Sequence, residues 1–303
     1  MADRRLQVFR AVARHGSFTR AAETLFMTQP AVTFQIKQLE EQYNTRLLDR
    51  GHGRVTLTPA GELVLAYAER ILELSEEMEA RVGELTDELS GVLHLGSSTT
   101  IAAYWLPCLI EGFKRRYPRV VPRVAVGNSQ TIEGRVVERN LDVGLVEMIT
   151  EQPTLEHFSL GRDELQVTVP PGHPLAKETS VRAEQLAAYP LLHREPGNGI
   201  RDLVDHFFAS AGIRYEDLKV TAELGSLSSV KQLAAHGMGV AVVSRAAIGA
   251  EIKAGQLVGI PLEPPLYTPL EVIVLKDKFR SRLVNAFVDF AAEEIPRLSA
   301  ERN

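Results

Sequence analysis

The chain has 303 residues, 45% hydrophobic and 24% charged, the composition of a globular protein with material for two or three domains. Its 22 Gly and 16 Pro are too few for a fibrous or disordered polypeptide, no run of about 18 apolar residues offers a membrane span, and the charged amphipathic N-terminus is unlike a secretory signal, so a cytoplasmic protein with no membrane partner is expected. The net charge of −5 argues against nucleic acid only as a single number: residues 1–58 carry nine Lys/Arg against five acids and residues 59–90 two against nine, and a basic head on an acidic neck suggests a terminal module for a polyanion.

Leu6, Phe9, Val12 and Ala13 repeat at helical spacing up to His15-Gly16. Ser17 is placed to cap a short second helix holding Ala21, Ala22 and Leu25. Phe26-Met27 then turn the chain, and Thr28 caps a third helix with Pro30 in its first turn and Ala31, Val32, Ile36 and Leu39 on its buried side. The paired alanines let two helices cross closely, which predicts a helix-turn-helix. Residues 46–58 form two short β-prone pieces around Gly51-His52-Gly53, a hairpin or wing.

From Pro59 to about Leu89 the residues Tyr67, Ile71, Leu74, Met78, Val82, Leu85 and Leu89 recur at intervals of three and four. Some thirty helical residues span about 45 Å. An apolar stripe of that length cannot bury itself against so small a head, so it predicts pairing with a second copy, a homodimer. From Val92 short β-branched runs alternate with amphipathic helices. Strands are expected at 92–95, 120–126, 142–147, 165–169, 219–223, 239–243 and 271–275, and helices at 101–117, 131–140, 199–210, 227–236, 245–254 and 281–295. That alternation predicts βαβ units with parallel sheets.

A helix-turn-helix reads DNA from the start of its second motif helix. Thr28, Gln29, Pro30, Ala31, Thr33, Phe34 and Gln35 put hydroxyls, amides and apolar contacts there, and a Gln can pair bidentately with adenine. Lys37 and Arg50 are placed as phosphate clamps, Arg54 at the wing tip could enter a narrow minor groove, and Ser17 and Thr19 at the start of the second helix complete the DNA-contact set. A bare helical bundle with a solvated face is the plain alternative.

The run from Leu6 to Arg50 holds Phe9-x-x-Val12, Gly16-Ser17-Phe18-Thr19-x-Ala21-Ala22, Thr28-Gln29-Pro30-Ala31-Val32-Thr33, Ile36-x-x-Leu39-Glu40 and Leu47-Leu48-Asp49-Arg50, and Thr56-Leu57-Thr58-Pro59-Ala60-Gly61 follows. This resembles the signature of LysR-type transcriptional regulators, and the resemblance extends over the rest of the chain. Phe34 in the recognition helix, and Thr33 where Ser is usual, depart from the family pattern. The resemblance implies a winged helix-turn-helix domain (1–58), a linker and dimerisation helix (59–90), and an α/β effector domain (91–303) of two lobes, 92–162 plus 268–303 and 163–267, related to type 2 periplasmic binding proteins. It also implies double-stranded promoter DNA as partner, assembly to homotetramers, and RNA polymerase as a further partner if the protein activates.

Four polar clusters stand at strand-to-helix junctions, where ligands of open α/β sheets collect: Ser97-Ser98-Thr99-Thr100, Asn128-Ser129-Gln130, Arg194-Glu195 and Ser226. Hydroxyls and free helix N–H groups suit an anion, while ordinary helix capping needs only one or two of the four residues at 97–100. Ser-Ser-Thr-Thr-Ile-x-x-Tyr-x-Leu-Pro (97–107) and Asp142-Val143-Gly144-Leu145-Val146-Glu147 resemble the branch with regulators of sulfur assimilation and carbon-dioxide fixation, which implies sulfite, sulfate or an acidic metabolite as effector. No resident cofactor or metal is expected: the eight His lack ligand spacing, and no nucleophile elbow, P-loop or His-Glu-x-x-His is present. An α/β enzyme would need the catalytic constellation that is missing here, and a ligand-independent architectural DNA binder is the other alternative. Cys108 reads as a buried thiol and His94 as a satisfied core residue.

Overall fold

The computed structural model describes residues 4–25, 27–51, 54–84, 89–276 and 280–302. Phe26 of the expected turn and His52-Gly53 of the expected wing tip lie outside the described residues. The chain divides into two compact units, the first ending at residue 88 and the second taking in most of the remainder.

In the first unit, α1 (Arg4–His15), α2 (Phe18–Thr24) and α3 (Gln29–Tyr43) pack around Val8, Phe9, Val12, Ala21, Ala22, Val32, Ile36 and Leu39. Ser17 and Thr28 are the N-caps, accepting from the N–H groups of Arg20 and Ala31 at 3.3 and 3.4 Å. Asn44 in the left-handed conformation ends α3. The wing is the antiparallel pair β1 (Leu48–Gly51) and β2 (Arg54–Leu57).

Helix α4 (Pro59–Glu84) starts against the wing: a Cβ on Gly61 would lie 2.0 Å from the Leu47 carbonyl oxygen, so only glycine fits there. Its inner face sends Ala68 and Leu72 into the head core, while Leu63, Tyr67, Ile71, Leu74 and Met78 are exposed. The helix is described as far as Glu84, with residues 85–88 of the expected span to Ser90 outside the described residues. Leu85 lies outside the described residues, and Leu89 packs against the core of the second unit instead of continuing the stripe.

The second unit is built on one eight-stranded sheet, in the order β4-β3-β5-β10-β6-β9-β7-β8. The strands are β3 (Gly91–Ser98), β4 (Val120–Gly127), β5 (Val143–Val146), β6 (Leu155–Val169), β7 (Leu191–Arg194), β8 (Val220–Leu224), β9 (Val240–Ser244) and β10 (Val258–Leu275). The helices are α5 (Thr99–Tyr104), α6 (Leu106–Arg116), α7 (Ser129–Val137), α8 (Ala183–Ala187), α9 (Gly199–Ser210), α10 (Leu227–Ala235), α11 (Gly249–Lys253) and α12 (Arg282–Arg302). The β3/β4, β3/β5, β7/β8 and β7/β9 pairs are parallel, but β10 runs antiparallel to β5 and β6, and β6 antiparallel to β9. The sheet is therefore mixed, not parallel as the alternation suggests.

The long strands β6 and β10 pair with each other from Val258↔Val169 to Leu275↔Leu155 and run through both lobes. One lobe packs Leu93, Leu95, Trp105, Phe113 and Phe287 on one face and Ile132, Val136 and Ile273 on the other. The second packs Val167, Leu186, Val204 and Phe208 on one face and Val230, Val243 and Ile248 on the other. The helix expected over 101–117 is two: Trp105 separates α5 from α6, and Pro107 has no N–H with which to continue the ladder. Cys108 is exposed on α6, not buried. His94 is part-exposed and lies 3.3 Å from Asp142, so it is no core residue.

Candidate DNA-reading surface and effector cleft

In the head, the residues chosen from sequence divide by what they touch. Thr19, Thr28, Gln29, Pro30, Phe34 and Lys37 are exposed, while Ser17, Thr33 and Gln35 are half-buried. Ser17 and Thr28 spend their hydroxyl oxygens on capping. Thr33 donates to the Gln29 carbonyl at 3.0 Å and receives the Gln29 amide at 3.3 Å, which holds that amide along α3. Phe34 is 57% exposed, an apolar ring turned largely to solvent. Lys37 lies 3.7 Å from Glu41, both well solvated, a pair of little energetic weight. Arg50 and Arg54 stand at Arg50↔Val55 and Gly51↔Arg54 in the wing, and their side chains lie outside what the structure describes.

The second unit brings the polar junctions together between its lobes. Ser97, Ser98 and Thr100 are buried, as is Ser129, and Thr99 is half-buried. Ser98 caps α5 by accepting from the Ile101 N–H at 3.4 Å and donates to Glu147 Oε2 at 2.8 Å, so capping and site building share one hydroxyl. The Ser129 hydroxyl accepts from the Glu147 N–H at 3.3 Å.

Arg194, expected on a loop, is the last residue of strand β7 and is 3% exposed. Its guanidinium donates across the cleft to Thr99 Oγ1 at 3.0 Å, to Glu195 at 3.0 and 3.3 Å, and to the Leu224 and Gly225 carbonyls at 3.2 and 3.3 Å. Asn128 caps α7 and donates to the Pro196 carbonyl at 3.1 Å, and the Gln130 N–H donates to the Gly197 carbonyl at 3.2 Å. Gln130 joins the lobes by its main chain, its residue being exposed, and Ser226 is exposed and caps α10 at a distance of 3.3 Å from the Ser229 N–H. These two are peripheral to the buried cluster.

Sequence reasoning missed the residue at the centre. Glu147 follows the wholly buried strand β5 and is 1% exposed. Its burial, only partly opposed by Ser98, Thr100 and Arg194, pushes its carboxyl up to about 7. An acid directly after four apolar residues at 143–146 was the signal that could have found it. Glu147 Oε1, Thr100 Oγ1 and Arg194 Nη1 are buried with no hydrogen-bond partner, as is Thr268 Oγ1 on β10. Buried polar atoms are normally satisfied, so these atoms stand out as able to bond polar atoms from outside the chain.

A groove of about 840 Å³ opens beside Glu147 and Gly199 on the hinge strands, lined also by Met148 and Ile149 from one lobe, Asp202 and Leu203 from the other, and Arg162 and Tyr267, whose guanidinium and ring stack at 4.2 Å. Among the described residues no set of three His, Cys, Asp or Glu could hold a metal ion, and no helix is long and apolar enough to cross a membrane.

Residues 4–62 match the family described as bacterial regulatory helix-turn-helix protein, lysR family, and residues 86–296 match the LysR substrate binding domain. A protein of Porphyra purpurea named "Probable RuBisCO transcriptional regulator" is 33% identical over 286 residues, covering 93% of this chain and 90% of its own. Full-length OxyR of Pseudomonas aeruginosa, solved as a cysteine-to-aspartate variant, superposes with a TM-score of 0.69 at 23% identity, over 96% of this chain and 93% of that one. The Synechocystis CcmR regulatory domain, solved in complex with 2-PG, superposes with a TM-score of 0.63 at 26% identity over 68% of this chain and 98% of its own. With both of its parts matched by the two family descriptions, and an exposed recognition helix and a two-lobed effector cleft in place, the chain belongs to the LysR family of transcriptional regulators.

Proposed function

We propose that the protein binds promoter DNA as a homo-oligomer and that a small anionic effector, seated between the two lobes around Ser98, Thr100, Glu147 and Arg194, shifts the balance between assembly states that place the heads differently. The observation that carries the reading is the convergence of three buried, unpartnered polar atoms from Thr100, Glu147 and Arg194. A small oxyanion such as sulfite or sulfate, or an acidic metabolite, suits the two donors of that set, the Thr100 hydroxyl and the Arg194 N–H. The relatives named as RuBisCO regulators and the CcmR domain holding 2-PG favour carbon-dioxide-fixation genes as targets and a phosphorylated acid as effector. The exposed stripe of α4 supports dimerisation, dimers pairing into tetramers are the assembly proposed, and RNA polymerase would be the partner of an activator.

Base contacts are assigned to Thr28, Gln29, Pro30, Thr33, Phe34 and Gln35, and phosphate or groove contacts to Ser17, Thr19, Lys37, Arg50 and Arg54. Gln29→Ala should relax sequence preference at one operator position by about 1–3 kcal/mol, and Arg54→Ala should weaken all DNA and reduce the salt dependence. Fluorescence anisotropy against operator fragments recovered by selection reads both. Unchanged binding by both variants would sink the reading head, and a melting temperature insensitive to every small oxyanion and 2-PG would sink the effector.

A further inference from the structure

The cleft has an electrostatic difficulty. Its central cation, Arg194, is already bonded to the Glu195 carboxylate by two hydrogen bonds, at 3.0 and 3.3 Å. Glu147 sits in the same buried cluster with one oxygen receiving the Ser98 hydroxyl and the other without a well-formed hydrogen bond, the Thr100 hydroxyl being its neighbour. An anion arriving beside an ionised Glu147 would meet net negative charge at low dielectric, where like charges in contact are strongly unfavourable.

The neighbours do not relieve this. The charged groups acting on the Glu147 carboxyl are Arg194 from β7, which favours its ionised form, and Asp163 from β6, which opposes it. The β3–α5 junction brings only hydroxyls, those of Ser98 and Thr100. From α7 come the Ser129 hydroxyl and, one turn further along, Glu133; α9 brings Gly199 and Asp202, the latter lining the same groove as Glu147 together with Arg162 of β6, whose guanidinium is stacked on Tyr267. The carboxyl on β10, Glu271, is turned to His157 at 3.1 Å.

We propose that the cleft takes its anionic effector together with one proton held on Glu147, the neutral carboxyl donating its O–H to an oxygen of the ligand. This rests on the effector reading above and narrows its class: the ligand is a small oxyanion or acid with an oxygen that accepts a hydrogen bond from a carboxylic acid, beside a second oxygen that takes the free Arg194 N–H. Glu147 then discriminates by its proton. A ligand offering a cationic donor at that point would instead draw the carboxyl into its ionised form and release the proton, giving the opposite pH dependence. The buried carboxyl is poised for the exchange, since its pKa stands near 7 before any anion arrives and a bound anion raises it further. Protonation is thus favoured below about pH 7, and anion affinity falls as the pH rises above the pKa of the complex.

Sulfate and glycolate keep one charge state above about pH 5, so any pH dependence of their binding belongs to the protein. Calorimetric titration of the full-length chain between about pH 6 and pH 8.5, in buffers of different ionisation enthalpy, should show one proton taken up per anion on the alkaline side and affinity falling up to about tenfold per pH unit there. Glu147→Gln, neutral and able to donate, should bind these anions with little pH dependence and no proton uptake. Binding by the unmodified chain that is flat with pH and takes up no proton overturns the inference while leaving the effector site standing. Retention of the full slope by the Glu147→Gln protein does the same. Should neither anion bind either protein at any pH, the small-oxyanion class falls with the inference. Carbon-13 NMR of the ligand-free carboxyl is a further check: titration near 7 is expected, and titration in the ordinary carboxylate range overturns the proposal.

Discussion

Gly199 opens α9 in one lobe where Glu147 closes β5 in the other, and a Cβ at residue 199 would lie 2.0 Å from the Glu147 carbonyl oxygen and 2.8 Å from its carbon. Both atoms are main chain, so Gly199→Ala cannot be accommodated by turning a side chain. The lobes must part by roughly 1.5 Å to restore an ordinary contact. Overpacking of this kind costs about 1–3 kcal/mol, and each kcal/mol lowers the melting temperature of a domain this size by roughly 2–4 °C, so a fall of about 2–12 °C is expected. The movement also loosens the bridges that cross the cleft, Arg194 to Thr99 at 3.0 Å and Asn128 to the Pro196 carbonyl at 3.1 Å, so small-anion affinity should drop with stability. Gly134→Ala is the control: a Cβ there meets nothing within 4 Å, and in the middle of α7 it should stabilise by about 0.5–1 kcal/mol. Calorimetric melting of the two variants beside the unmodified chain decides the matter. A Gly199→Ala protein melting within about a degree of its parent would refute the claim that the lobes are seated main chain against methylene.

Two other outcomes follow from the same geometry. Arg194→Met takes away the cation paired with the Glu195 carboxylate, leaves it the Asn198 amide, and empties the anion site; it should cost about 3 kcal/mol in thermal stability and abolish sulfate-induced stabilisation, and Arg194→Lys should not restore the paired bonds to Glu195. Ile71→Glu with Leu74→Glu on the exposed stripe should leave the head folded, because Ala68 and Leu72 supply its core, yet convert the protein to smaller species in analytical ultracentrifugation; an unchanged sedimentation coefficient would mean that the stripe is not the interface.

The head was legible because every signal in it is local. Caps at Ser17 and Thr28, a proline in the first turn of α3 and apolar residues three and four apart each act within one or two turns, and the structure places them accordingly. The hinge strands were only half legible. Apolar runs at 165–169 and 271–275 mark their ends, but Gly161, Arg162 and Asp163 interrupt β6 where it passes from one lobe to the other, and Pro261, Glu263, Pro264 and Pro265 interrupt β10 at a register shift in its pairing with β6. Their antiparallel pairing depends on partners about a hundred residues away in sequence, which no local periodicity carries. Strand β7 was missed for a related reason: His193 and Arg194 are polar yet buried, His193 bonded to Asp205 at 2.7 Å and Arg194 to Glu195, so burial there follows from partners that sequence spacing does not reveal. The hydroxyl-rich loops were found by composition. Glu147 was not, because a lone acid after an apolar strand looks like the strand's solvated end until Ser98 and Arg194 are folded over it.

Helix α4 is apolar on two sides, one sunk into the head and one left open. A single rigid rod therefore carries both the seat of the reading head and the surface proposed to join two copies, and the angle between them is written in residues. Each residue added within the rod between Leu72 and Leu74 would turn the outer part of the open side, Leu74 and Met78, against the head by about 100° and move it outward by about 1.5 Å. On the proposed dimer the spacing and phase of the two DNA half-sites would be set by this helix, so that operators with altered half-site spacing would be matched or refused by a count along α4 before any base is read.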